Sequence, residues 1–356
     1  MNNLTIERTT APKAKPTDES QLGFGQVFSD HMLIMPYNKG KGWHDAKIQA
    51  YQPISLWPAA SVLHYSQSIF EGMKAYRAVD GTIRMFRPTE NFKRFATSCD
   101  RMCVPQLDQQ FELDSLCELL KVDQDWIPRA RGTSMYIRPF VIACKNFLGV
   151  HPADDYLYMV ILSPSGAYYK EGLNPVKIYV EPRYVRSVRG GTGMIKAGAN
   201  YAQSLKAQEE AEAQGYTQVL WLDGVERKYI EEVGSMNVFF VIGDEVVTPE
   251  LSGSILPGIT RKSAIELLKY WGYKVSERRL SIDELEAAAR SGNLREAFGT
   301  GTAAVVSPIG HMKYGEDTFI VGDGNIGAIT QKLYDEITGI QYGTLPDPFG
   351  WSYIVK

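Results

Sequence analysis

The sequence predicts a protein of mixed α and β structure, α/β or α+β, built as two domains. Three observations carry this. The chain has 356 residues, against roughly 150 for a common domain. Hairpin signals and helical stretches occur in both halves as separate groups, which suits mixed α/β layers. The stretch Ser163–Pro175 holds two prolines and two glycines. That composition reads as a linker, although turn-rich segments also occur inside domains. The expected division is a small α/β domain over 23–164, a linker over 165–175 and a larger α/β domain over 176–356.

The elements follow in order. Residues 1–22 are polar, carry Glu7, Asp18 and Glu19, and have no apolar segment of the secretory kind. They read as a flexible arm, and the acids do not suit a mitochondrial transit peptide. Asp80-Gly81 between Lys74–Val79 and Ile83–Phe86 predicts a hairpin. Pro88–Met102 predicts a helix with Phe92 and Phe95 on one face, and Leu113–Arg131 a second. Ser134–Ala143 and Tyr156–Ser163 are β-rich, and Lys145–Asp155 between them is a polar loop. Val176–Glu181 opens the second half as a strand. A helix is expected over Asn200–Gln214, stopped by Gly215. Gln218–Leu222 is a strand, and Asn237–Ile242 and Glu245–Thr248 form a hairpin about Gly243-Asp244. Helices are expected over Gly258–Trp271, over Ile282–Arg290 with a Ser281/Glu284 capping box, and over Gly327–Ile340. Glu296–Phe298 and Ala303–Pro308 read as short strands around a Gly-Thr-Gly-Thr turn.

Composition excludes several classes. Charge is balanced, with 38 basic and 41 acidic residues and a net charge of −3. Nucleic acid or an anionic membrane as main partner would call for a basic surface. No apolar run approaches the roughly 18 residues of a membrane span, and a cytoplasmic protein is expected. Cys99, Cys103, Cys117 and Cys144 are too few for a disulfide framework in this length. Cys99 and Cys103 lie four apart, but no histidine or third cysteine accompanies them. Reduced core thiols are expected, and no metal site.

Several residues could carry chemistry. Lys196 sits in Gly190-Gly191-Thr192-Gly193-Met194-Ile195-Lys196-Ala197-Gly198-Ala199-Asn200-Tyr201. Small residues on both sides let a planar group approach the backbone, and a lysine among apolar neighbours can form a Schiff base. A solvated loop lysine is the plainer reading. Leu256-Pro257-Gly258-Ile259-Thr260-Arg261 places a turn at a helix start, where free N–H groups favour anions. Gly299-Thr300-Gly301-Thr302-Ala303 could form an anion nest. Glu232 precedes an apolar strand and needs a partner there, either in a structural ion pair or as the partner of a protonated ring nitrogen. Tyr136 and Arg138 alternate on one strand face, as a carboxylate-recognising pair or a plain strand surface. Arg183, Arg186 and Arg189 make a basic patch beside the glycine loop, solvated or steering anionic substrates.

Taken together, Ser66–Lys74, Phe86–Pro88, Met135–Pro139, Gly190–Tyr201, Gln218–Leu222, Glu232–Asn237, Leu256–Arg261 and Phe298–Val306 resemble branched-chain-amino-acid aminotransferases. The likeness runs in order from Phe24 to Tyr342 and follows the subgroup that reads GGxGxxKxGxNY around the lysine. It implies pyridoxal 5'-phosphate, the fold type IV architecture with its active site at the domain interface, and a homodimer. By matching motif, it implies that Lys196 is the Schiff-base lysine and catalytic residue. It implies that Arg94, Ile259, Thr260 and Thr302 bind the phosphate. Glu232 matches the acid on the pyridine nitrogen, and Tyr201 the tyrosine on the phenolic oxygen. Ser235, Thr302 and Ala303 fall near the substrate carboxylate. Phe24, Tyr65, Phe70, Tyr136, Arg138 and Tyr168 match the side-chain pocket, and Leu148 and Val150 a loop that reaches the partner subunit's pocket. The implied reaction is ping-pong transfer of the amino group of leucine, isoleucine or valine to 2-oxoglutarate. D-amino-acid transaminases and aminodeoxychorismate lyases share the fold, but their pockets match less well. One departure stands out: Ala304 and Ser307 occupy the places of a CxxC redox pair found in some members.

Overall fold

The computed structural model describes residues 4–166 and 173–356, and Tyr168 and much of the expected linker lie outside them. The chain divides into two compact units. The first comprises Met1–Tyr168, Ile195–Ala199 and Gly339–Lys356, and the second Tyr169–Met194 and Asn200–Thr338. The expected second domain, 176–356, therefore differs in two places. The five residues around Lys196 and the C-terminal 18 belong to the first unit.

The first unit is built on a ten-stranded sheet. Its centre runs His31–Asn38, Asp155–Ser165, Ser134–Ala143, Met73–Arg77, Ile83–Phe86, each pair antiparallel. Ile83–Phe86 pairs on its far side with Ser352–Ile354, which places the C-terminus in this unit. Side chains alternate across a strand, and the inward set (Leu33, Met35, Met135, Ile137, Tyr158, Val160) is buried against Phe92 and Phe95. Those two phenylalanines lie on the Pro88–Arg101 helix, with proline at its first turn where no N–H is missed. The next helix is Gln109–Val122, not Leu113–Arg131. Asp108 caps its start by accepting from Gln110 and Phe111 amides, and it ends before Asp123, whose carboxylate turns to other donors.

Those donors tie down the N-terminal segment. Asp123 accepts from the His31 amide at 2.9 Å and from His31 Nδ1 at 2.6 Å. His31 Nε2 in turn accepts the Thr9 amide, so the ring is neutral with its proton on Nδ1. Lys13 donates to Phe28 O and Ser29 O, and Thr5–Ile6 pairs in parallel with Lys47–Ala50. The expected flexible arm is corrected: residues 4–13 are fastened along the first unit.

The second unit holds a nine-stranded mixed sheet. Val176–Glu181 is parallel to both Gln218–Leu222 and Val305–Tyr314. Asn237–Ile242 pairs with Glu245–Thr248 and with Leu294–Gly301. The Ile259–Tyr270 and Ile282–Arg290 helices contribute to this unit, and Ser281 Oγ accepts the Glu284 amide as the capping box requires. The expected Asn200–Gln214 helix is interrupted, into Gly198–Ala202 and Leu205–Ala213. Glu232 lies within a strand of its own, Ile230–Val233, and not just before one. Cys99 and Cys117 are buried and Cys144 half-buried, but Cys103 is exposed, which corrects the expectation of four core thiols. Among the described residues no helix is long and apolar enough to cross a membrane, and no group of acids, histidines and cysteines could hold a metal ion.

Asp123→Ala would leave two buried His31 donors without an acceptor, at about 1–3 kcal/mol each. The melting temperature is expected to fall by about 5 °C or more, with faster proteolysis before residue 13. An unchanged melting curve would contradict the fastening of this segment.

Candidate active site

The glycine-rich loop closes on itself. Asn200 Nδ2 donates to Thr192 O at 2.8 Å, and Asn200 Oδ1 accepts from Thr192 Oγ1 at 2.6 Å. Lys196 stands four residues from each end of this clasp. At the apex, Phe70 N donates to Lys196 O at 3.0 Å, and Ile69 bridges Ala197. The small residues now have reasons. A Cβ on Gly193 would overlap Ser187 Oγ and Ser254 O, and one on Gly198 would crowd Ser68 Oγ. Ala197 is fully buried.

In the first unit this loop brings Lys196 to an aromatic group. Lys196 Nζ lies 4.8 Å from the Phe70 ring centroid, and Arg138 lies over the same ring at 4.7 Å. Arg138 Nη2 donates to Tyr136 Oη at 3.1 Å, and Phe24 meets the Tyr136 ring edge-on at 4.8 Å. Gly72 is required because a Cβ there would occupy the Tyr136 hydroxyl. No carboxylate among the described residues pairs with Arg138, whose Nε is buried and unpartnered. A guanidinium held by rings and a hydroxyl, and not by an acid, is available to an anionic ligand.

Behind Phe70 lies Glu71, fully buried. Its carboxylate takes a two-pronged contact from Arg94, Nε to Oε1 at 2.7 Å and Nη2 to Oε2 at 2.9 Å, and a third bond from Asn91 Nδ2. Burial alone would raise the Glu71 pKa, but Arg94, Lys196 and Asn91 together hold it below the ordinary value. Arg94, matched above to a phosphate ligand, is thus anchored by Glu71, a residue that lies in one of the matching motifs but has no role in the sequence reading.

The second unit holds the other residues. Glu232 is 2% exposed. Its Oε1 accepts the Leu256 amide at 2.7 Å, and its Oε2 lies 2.9 Å from Arg186 Nε. Arg186 is itself buried and donates Nη2 to Gly193 O and Ser254 O. It is not part of a solvated patch. Only Arg183 and Arg189 of that trio are exposed. Asn237 Nδ2 donates to Leu256 O, Asn237 Oδ1 fills the space that a Gly258 side chain would need, and Asn237 pairs in register with Thr300. So Glu232, the Ile259–Tyr270 helix start and the Gly-Thr turn form one connected group. No side chain caps that helix, and the first-turn amides of Ile259 and Thr260 have no intrahelical acceptor. Thr300 Oγ1 is buried without a partner. Thr302 and Ala303 are half-buried in the turn that follows, Tyr201 is half-buried on its short helix, and Ser235 is exposed beside Gly234.

The expected partner loop is exposed. Leu148 is 63% and Val150 84% accessible, and Tyr65 Oη donates to Leu148 O.

Residues 68–312 match the family described as amino-transferase class IV. Branched-chain-amino-acid aminotransferase 2 of Bacillus subtilis is 55% identical over 349 residues, 98% of this chain and 96% of that protein. This chain belongs to the branched-chain-amino-acid aminotransferases of the class IV family. A second relative, branched-chain-amino-acid transaminase 1 of the same organism, is 54% identical over 99% of both chains. Among solved structures the chain is similar to the Escherichia coli branched-chain amino acid aminotransferase, with TM-score 0.78, 26% identity, and coverage of 92% of this chain and 99% of that one. It is also similar to the T.th. branched-chain amino acid aminotransferase solved with pyridoxamine 5'-phosphate, with TM-score 0.76, 27% identity, and coverage of 91% and 98%. The fold type IV architecture follows from these likenesses.

A buried amine marks the first unit besides the half-buried Lys196. Lys74 stands in register opposite Tyr136, and burial lowers its pKa to about 8. Between pH 8 and 10.5 the unfolded chain then binds the proton that the folded one releases. Stability relative to Lys74→Met should be constant below pH 8 and rise by on the order of 3 kcal/mol towards pH 10.5. Paired urea titrations across that range would check it, and a flat difference would contradict the buried amine.

Proposed function

We propose that this enzyme transfers the amino group of L-leucine, L-isoleucine and L-valine to 2-oxoglutarate, giving the branched 2-oxo acids and L-glutamate. The observation that carries the reading is the shared ring: Lys196 Nζ and the acid-free Arg138 guanidinium both lie over Phe70. A reactive amine thus stands beside an apolar wall and a cation.

Class IV aminotransferases use pyridoxal 5'-phosphate, and the residues present fit it. Thr300 Oγ1 is a buried donor without a partner, next to uncapped helix amides suited to a phosphate. Glu232 is a buried carboxylate suited to a ring N–H. When bound, the cofactor supplies an electron sink for the carbanion at the substrate Cα. Lys196 would hold it covalently. Ile259, Thr260, Thr302 and Arg94 would hold its phosphate, and Tyr201 its phenolic oxygen.

The chain's own residues then divide the work. Arg186 keeps Glu232 aimed, because its guanidinium lies 2.9 Å from one carboxylate oxygen. Glu232 holds a proton on the ring nitrogen. With the cofactor bound, the Lys196 amine would take the proton from the substrate Cα and return it at C4′, as base and then acid. Phe24, Tyr65, Phe70 and Tyr136 form the aliphatic pocket. Arg138 receives the second carboxylate of 2-oxoglutarate or glutamate, so that one pocket takes both kinds of side chain. Ser235, Thr302 and Ala303 meet the α-carboxylate. The exposed Leu148 and Val150 complete the pocket of a second copy in a homodimer, since exposed apolar loop residues call for a cover.

A survey of amino donors with 2-oxoglutarate tests the substrate class: the three branched L-amino acids should turn over and D-alanine should not, and the reverse order would overturn it. Glu232→Gln should lower kcat by about 100-fold with cofactor still bound. Near-normal turnover in that variant would refute the role given to Glu232.

A further inference from the structure

The strand that carries Glu232 carries a second buried carboxylate, Glu231, and adjacent strand residues point to opposite faces. Glu231 is 6% exposed. Its Oε1 accepts from Ser254 Oγ, while Oε2 is buried with no hydrogen-bond partner among the described residues. Nothing in the proposed transamination uses this group. It lines a cavity of about 180 Å³ lying wholly in the second unit, room for on the order of six waters at ~30 Å³ each.

The other walls define a ligand. Val188, Val225, Pro249 and Ile255 are apolar; of the charged lining residues, Asp223 is taken up by backbone amides and Arg279 by Glu226, while Glu250 and Arg189 stand exposed. Arg189 is exposed and makes no ion pair among the described residues, so its guanidinium is at the solvent side while Glu231 is inside. A buried carboxylate oxygen without a donor is costly unless something donates to it. Burial raises the Glu231 pKa, and the Ser254 hydroxyl, Arg186 and Arg189 act against that rise. A lone amine would leave Arg189 unanswered. A lone carboxylate would meet Glu231.

We propose that this cavity is a binding site for a small aliphatic α-amino acid, with its ammonium on Glu231, its carboxylate on Arg189 and its side chain against Val188, Val225 and Ile255. The site stands on this cavity alone and does not depend on the transamination reading. Occupancy there would be felt at Glu232, because both carboxylates hang on one turn: Ser254 Oγ serves Glu231 and the Leu256 amide serves Glu232.

The test is calorimetric binding of L-leucine to holoenzyme whose turnover has been stopped by borohydride reduction. The expected result is a binding event that weakens about tenfold or more in Arg189→Gln and again in Glu231→Gln. Because Arg189 is exposed, its variant should fold and keep the parent kcat, which guards against misfolding of the buried variant. Isobutylamine and isovalerate, each offering half of the zwitterion, should bind more weakly than leucine. No leucine binding to the reduced holoenzyme, or binding unchanged in Arg189→Gln, would overturn the proposal.

Discussion

The clasp between Thr192 and Asn200 is the constraint on which the candidate site depends. A loop of nine residues has many conformations, and fixing each costs about 1–2 kcal/mol of backbone entropy. Two hydrogen bonds across its neck remove most of that freedom before the apex is placed. The apex is then held by Phe70 N on Lys196 O and by the Ile69–Ala197 bridge. These bonds act on backbone, and the Lys196 side chain projects over the Phe70 ring. The spacing of glycines around the lysine is a packing requirement: Gly193 and Gly198 sit where another element's atoms leave no room for Cβ.

Charge is handled in the same way in each unit. Glu71 with Arg94 and Glu232 with Arg186 are buried pairs, each carboxylate taking a further N–H from Asn91 or Leu256. Such pairs gain little net stability, but removing one partner strands a charge at about 3–5 kcal/mol. Their value here is position. Glu71 fixes the guanidinium of Arg94, and Arg186 ties Glu232 to the Gly193 and Ser254 carbonyls. Glu231, one residue from Glu232, is with Glu112 and Glu181 one of three buried carboxylates with an oxygen that lacks a hydrogen-bond partner among the described residues.

Much of this was legible in the sequence where chemistry is local. Asp80-Gly81 set one hairpin and Gly243-Asp244 another, and Ser281 with Glu284 marked a helix start that the structure keeps. Ser134–Ala143 and Val176–Glu181 match to the residue because their β-rich runs are bounded by turns. What was not legible depends on distant partners. Asp123 reaches His31 across 92 residues, which stops the preceding helix and fastens the N-terminal segment. Arg186 read as one of three surface arginines, and only its burial beside Glu232 separates it from Arg183 and Arg189. The helix after Lys196 breaks at Gln203 and Ser204, where Gln203 Nε2 turns back to the Arg186 carbonyl.

In the proposed reaction Lys196 is the catalytic amine, and a competitor exists in the same unit. Lys74 is more deeply buried than Lys196 and has a pKa lowered to about 8. By that property alone it would be the better nucleophile. The clasp and the Phe70 contact select Lys196 instead. Borohydride reduction of the holoenzyme, followed by peptide mapping, decides between them. The account predicts a single pyridoxyl adduct, on Lys196, absent from the Lys196→Ala protein. An adduct on Lys74, or one that persists on any other lysine when Lys196 is replaced, would contradict it.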